Sequence, residues 1–264
     1  MGQNDSHNSR GLPRRSLLKV AAAGAMAGPW AFGQAHDMKD QAAQPGQGTG
    51  GAGAMRSAAA TPSAGSSAGA TPAPPVYTFL NVQEVAFLEA AVDTLIPADE
   101  SGPGALEVGA VLFMDRQLGG EFGRGDRLYL QGPFAEGTPE QGYQLRMTPA
   151  ELVQAGIADV NAYAQTAYQS RFEALPAATR VTVLAGLEQH HIELPTVPAG
   201  QFFEVLLELT QQGFFCDPIY GGNRGKASWK MLGFPGIGGM YADKIAAYRN
   251  RPYSTEPVGI EDLL

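Results

Sequence analysis

The chain has 264 residues, of which 44% are hydrophobic, with one cysteine and a formal net charge of −8 at neutral pH. One cysteine excludes a C-x-x-C-H haem attachment and a four-cysteine iron–sulfur cluster within this chain. The acidic balance speaks against nucleic acid, whose phosphates need a basic face, and equally against anionic lipid headgroups.

The first segment reads as an export signal. Gly11-Leu12-Pro13-Arg14-Arg15-Ser16-Leu17-Leu18-Lys19 is basic, Val20 to Ala27 is apolar, and small residues follow to a cleavage site near Gly33 or Ala35. The apolar run is far short of the roughly 20 residues that cross a bilayer. Arg14 and Arg15 before Leu-Leu-Lys match the twin-arginine type, with Leu17 where that pathway prefers Phe. This route exports folded proteins, so the chain is expected in the periplasm. Removing residues 1–35 leaves 14 basic and 25 acidic residues, a net of −11.

Residues 36–75 are mostly Ala, Gly, Ser, Thr, Pro and Gln. They offer too little apolar surface to offset ordering entropy and are expected to form a disordered tether. Residues 76–264 are long enough for one domain with its own core.

That domain is expected to be all-α, with a long ordered loop near its C-terminus. Asn81-Val82-Gln83-Glu84 is a capping box, followed by Val85, Leu88, Val92 and Leu95 at helical spacing and stopped by Pro97. A second helix is predicted over 105–118, with Val108, Val111, Leu112 and Leu118 on one face. Residues 119–147 read as an irregular excursion. Thr148-Pro149-Ala150-Glu151 is a second capping box, opening a helix to about Phe172. Further helices are predicted over 176–189 and over 199–212, the latter facing Phe202, Phe203, Leu206 and Leu209 inward. No segment alternates as a strand would. Residues 216–236 interleave Gly, Pro and aromatics, which suits an ordered loop rather than a helix.

Motifs for chemistry are sparse. His190 and His191 are adjacent, so on a helix they point about 100° apart and do not share an ion. Gly221-Gly222-Asn223-Arg224-Gly225-Lys226-Ala227 has one residue too few for a phosphate loop, and Ala227 stands where Ser or Thr would hold magnesium. There is no G-x-S-x-G nucleophile elbow. Asp99 and Glu100 are neighbouring carboxylates in a solvated turn. Cys216 leaves two readings open. In an oxidising compartment a lone thiol invites a bond to another chain; flanked by Phe214 and Phe215, it equally suits a buried, inert thiol.

Residues 77 to 255 resemble the gluconate 2-dehydrogenase subunit 3 family, the small subunits of membrane-bound, FAD-dependent sugar and sugar-acid dehydrogenases. The resemblance rests on Phe202-Phe203, Gly213-Phe214-Phe215, Asp217-Pro218, Tyr220-Gly221-Gly222-Asn223, Trp229-Lys230 and Gly233-Phe234-Pro235-Gly236, with Leu95-Ile96-Pro97 and Asp99. It implies a heterotrimer in which a separate catalytic subunit holds FAD and a multihaem cytochrome c subunit passes electrons on. The small subunit would hold no cofactor or metal. It would help the flavoprotein mature and carry it, as a hitchhiker, through the twin-arginine translocase, reaching the membrane through the complex.

On that resemblance the partner interface is expected at Phe214, Phe215, Cys216, Asp217, Pro218, Tyr220, Gly221, Gly222, Asn223, Trp229, Lys230, Phe234 and Pro235. Its aromatics would act as anchors, and Cys216 is the candidate for an intersubunit disulfide. The residues alone leave two other functions open. One is a cofactor-free hydrolase or isomerase using Asp99, Glu100 or His190. The other is a sugar-binding module, which would need a pocket lined by aromatics and carboxylates.

Overall fold

A computed structural model describes residues 75–135, 137–138, 143–237 and 241–264. Arg14, Arg15 and nearly all of the tether lie outside the described residues. Those residues hold eight α-helices, and no strand occurs among them. The helices are α1 (Val82–Leu95), α2 (Ala110–Leu118), α3 (Glu121–Arg124), α4 (Pro149–Tyr168), α5 (Ala177–Glu188), α6 (Ala199–Phe215), α7 (Ala227–Leu232) and α8 (Ala242–Ala247).

Both capping boxes form. Asn81 accepts hydrogen bonds from the backbone N–H groups of Gln83 and Glu84, and the Glu84 carboxylate accepts from the Asn81 N–H at 2.9 Å. Thr148 and Glu151 exchange the same pair of bonds, with Pro149 at the first helical position. Each box satisfies donors that a helix start would otherwise leave open.

Helix α6 is the centre of the packing. It lies against α2 most extensively, and also against α5, α4, α1 and α7. Its residues Phe202, Phe203, Leu206, Leu209 and Phe214 are buried. Phe87 of α1 packs between Phe172, with ring centroids 4.7 Å apart, and Phe202, at 6.4 Å. Each fully buried ring of this size is worth about 2–3 kcal/mol.

Several boundaries differ from the sequence pattern. Helix α2 begins at Ala110, because Gly109 sits in the left-handed region (φ 84°) and breaks the run from Ala105. Helix α4 ends at Tyr168, where Gln169 takes a left-handed φ of 57°, and Phe172 opens a separate short turn. In α1 the dominant core residue is Phe87, while Val85 is only partly covered.

The N-terminal segment is tied down by one carboxylate. Asp115 of α2 is 1% exposed and accepts bonds from the N–H groups of Thr78, Phe79 and Leu80 at 2.8–2.9 Å, and from the Thr78 hydroxyl at 3.1 Å. Burial alone would raise the pKa of this carboxyl. The three backbone donors and the hydroxyl outweigh it and hold Asp115 below the ordinary carboxylate value.

Candidate functional site

The segment expected as a loop is more helical than its composition suggests. Helix α6 runs through Phe214 and Phe215, so these two belong to its last turn. Short turns follow at Pro218–Tyr220 and Arg224–Lys226, and then α7 over Ala227–Leu232. Helix α7 is only six residues long and starts from Lys226 at φ 56°, where a composition rich in Gly and aromatics gives no helical period.

Asn223 organises this segment. It is fully buried, with a left-handed φ of 43°. Its side-chain amide donates to the Cys216 carbonyl at 2.9 Å, and its Oδ1 accepts from the Ser228 N–H at 3.0 Å and the Ser228 hydroxyl at 2.7 Å. Its own N–H donates to the Gly213 carbonyl at 3.0 Å. The segment is thereby folded back on the end of α6 and locked to the start of α7.

Gly222 makes that fold-back sterically feasible. A Cβ at this position would stand 2.0 Å from the Gly213 carbonyl oxygen and 2.8 Å from Cys216 Sγ. Trp229 closes the other side, its indole N–H donating to the Phe215 carbonyl at 2.8 Å and its ring meeting Phe234 edge-on at 5.3 Å.

The expected interface residues therefore divide. Phe214, Gly222, Asn223 and Trp229 are buried within the chain. Phe215, Cys216, Asp217, Pro218, Gly221 and Pro235 are half-buried. Tyr220, 49% exposed, and Phe234, 43% exposed, present apolar surface outward, and Lys230 is exposed beside Glu256, 3.4 Å away. Ile219 and Leu232 are also exposed. Neither stands out in the sequence, because single aliphatics in a segment of aromatics carry no distinguishing pattern.

Burial pushes the Cys216 thiol up to about 11, and the neighbouring Asp217 carboxylate adds to the rise. Its sulfur lies 3.5 Å from the Gly213 carbonyl. A thiol so held carries little thiolate at neutral pH.

The extreme C-terminus clamps the same segment, which the sequence did not disclose. Asp217 accepts from the Ile219 N–H at 3.2 Å with one oxygen and from the Ile260 N–H at 2.8 Å with the other. Asp262 pairs with Lys226, which is the main reason its carboxyl lies below the ordinary value, and it also accepts from the Gly259 N–H. From the domain side, Arg116 of α2 donates to the Ile219 carbonyl at 3.1 Å.

The other candidate groups sit on separate elements. Asp99 closes a tight turn with Gly102 and accepts from the Ser101 N–H at 2.7 Å, and Gly102 packs on Met231 of α7. His190, at φ 57°, belongs to the turn after α5 and lies against Gly200. Among the described residues no three His, Cys, Asp or Glu side chains gather as metal ligands would. An open groove is lined by Asn81, Gln83, Glu84, Gln154, Asn161, Gln165 and Arg171, with Ile157 and Ala158. Its walls are mostly amides, with the Glu84 carboxylate and no aromatic ring, so it has one of the two kinds of group expected of a sugar-binding pocket.

The structure defines a small helical domain whose carboxy-terminal segment folds over the end of its central helix and leaves tyrosine, phenylalanine and aliphatic side chains in solvent. Residues 82–236 match the family model described as gluconate 2-dehydrogenase subunit 3. The chain belongs to that family. Neither the curated proteins nor the solved structures contain a match.

Proposed function

We propose that this chain is the non-catalytic small subunit of a periplasmic, FAD-dependent sugar or sugar-acid dehydrogenase complex of the gluconate 2-dehydrogenase type. Its part is to help the catalytic flavoprotein mature and to carry it through the twin-arginine translocase on the signal containing Arg14 and Arg15. FAD then belongs to the catalytic partner and haem c to a cytochrome subunit, and the complex holds this chain at the membrane.

Family membership over residues 82–236 is the observation that carries this reading. Two features support it. Arg14 and Arg15 form a folded-export signal on a chain whose sequence offers no cofactor motif. Tyr220 and Phe234 are exposed on a segment braced from three sides by Arg116, Asn223 and Asp262. A braced backbone carrying exposed aromatics suits docking, because little conformational entropy is lost on binding.

The test is export of the partner. Replacing Arg14 and Arg15 together by lysine should strand the flavoprotein, as well as this chain, in the cytoplasm. Dehydrogenase activity should then disappear from the periplasmic fraction. Normal export of the flavoprotein in that strain would refute the reading.

A further inference from the structure

Beyond the family-matched residues lies a segment with a composition unlike the rest of the chain. Residues 75–237 contain 19 acidic and 9 basic residues. Residues 241–253 contain Lys244, Arg249 and Arg251 against Asp243 alone, together with Tyr241, Tyr248 and Tyr253.

The segment springs from the candidate docking region and returns to it. The Ile237 N–H donates to the Val258 carbonyl at 2.9 Å, and the Val258 N–H donates to the Pro235 carbonyl at 3.0 Å. These bonds pin both ends of the excursion next to Phe234. Between them, every residue from 242 to 252 is exposed.

Exposure here does not mean lack of order. The Tyr253 ring meets Tyr248 edge-on at 4.6 Å and Tyr241 at 6.0 Å, which ties the two sides of the arm together around α8. Ile245 is 67% exposed, and Tyr248 also faces solvent. Among the described residues no ion pair engages Lys244, Arg249 or Arg251.

We infer that residues 241–253 are a second docking element, which grips an acidic protein surface on the flavoprotein partner; the inference rests on the function proposed above. Ordered tyrosines with arginines are the composition of protein interfaces, where rigid rings supply contact area at low entropic cost and arginine pairs with carboxylates. Unpaired cations around them supply steering and specificity. A lipid surface fits less well. Helix α8 is six residues long and Ile245 is its one large aliphatic side chain, whereas membrane-surface helices carry a broad apolar face.

To test this, the full chain is co-produced with the flavin-bearing catalytic subunit of its own dehydrogenase, and the pair is isolated through a tag on that subunit. A variant with K244E, R249E and R251E should keep its circular dichroism and melting temperature, because these side chains are exposed. Its recovery with the flavoprotein should fall about tenfold or more at moderate salt, and only the wild-type pair should weaken steeply as salt rises. A second variant, Y248A, removes contact area without changing charge and should also lose recovery.

Equal recovery of the charge-reversed and wild-type chains, with the same salt dependence, overturns this inference and leaves the proposed function standing. Failure of the wild-type chain to accompany any flavoprotein overturns both. Arm-dependent binding to phosphatidylglycerol vesicles without an effect on the flavoprotein, or arm-dependent dimers of the chain alone, would also overturn it by assigning the arm another occupant.

Discussion

The Oδ1 of Asn223 accepts two hydrogen bonds from Ser228, one from its backbone N–H at 3.0 Å and one from its hydroxyl at 2.7 Å. Both residues are fully buried. This pairing joins the end of α6, reached through the Cys216 carbonyl, to the start of α7. It thereby sets where Tyr220 and Phe234 stand.

Asn223→Ala should be among the costliest changes in the segment. It leaves the Cys216 carbonyl and the Ser228 hydroxyl without their partner in a buried site, and it places alanine at a left-handed φ. Together these cost about 2–4 kcal/mol. Urea unfolding followed by circular dichroism would measure it, and a loss under about 0.5 kcal/mol would mean that water replaces the amide.

Gly222→Ala and Gly225→Ala separate steric from conformational cost. The first would drive a methyl into the Gly213 carbonyl and Cys216, where overpacking costs about 2–3 kcal/mol. At Gly225 a methyl meets open space, so only its φ of 66° opposes it, at about 1 kcal/mol. The two melting temperatures should fall in that order.

Trp229→Ala is the wrong probe of docking, because the indole is buried and bonded to Phe215. Its loss should lower stability as well as any binding. Tyr220→Ala with Phe234→Ala is the cleaner pair. Both rings are substantially exposed, so the melting temperature should shift little, while recovery of the flavoprotein should fall about tenfold or more if the rings are anchors.

Cys216 should react slowly in the folded chain. A thiol near 11, compared with the ordinary 9.0, carries about one-hundredth of the thiolate at pH 8. Alkylation by iodoacetamide should therefore be about 100-fold slower in the native chain than in urea, and should accelerate as pH rises towards 11. Equal rates in both states would show that burial does not protect it.

Asp115 should make the fold acid-sensitive. Its carboxyl lies below the ordinary value in the folded chain. It therefore contributes stability above its unfolded value, near 3.9, and that contribution is lost as pH falls through the lower folded value. Asp115→Asn should destabilise the domain at pH 7 by about 1–3 kcal/mol. It should also flatten the stability profile below about pH 4, as followed by thermal melts at acid pH.

Local sequence determined the parts of this chain that rest on local physics. Asn81 with Glu84, and Thr148 with Glu151, announce their helices because a capping box closes within four residues. The apolar positions of α6 repeat along one face, so Phe202, Leu206 and Leu209 identify themselves as core. The family-matching residues of 202–236 can be read the same way, as a string.

Tertiary structure decided which of those residues face outward. Trp229 and Phe234 are five positions apart and equally aromatic, yet one is buried and the other exposed. The difference comes from contacts made across the chain: Asn223 to Cys216, Trp229 to the Phe215 carbonyl, Asp217 to Ile260, and Lys226 to Asp262. No periodicity records such pairings, because their partners lie 7 to 43 residues apart. The basic charge on residues 241–253 can be counted in the sequence, although the chain-wide −8 conceals it; that Lys244, Arg249 and Arg251 stand in solvent on one arm was decided by the fold.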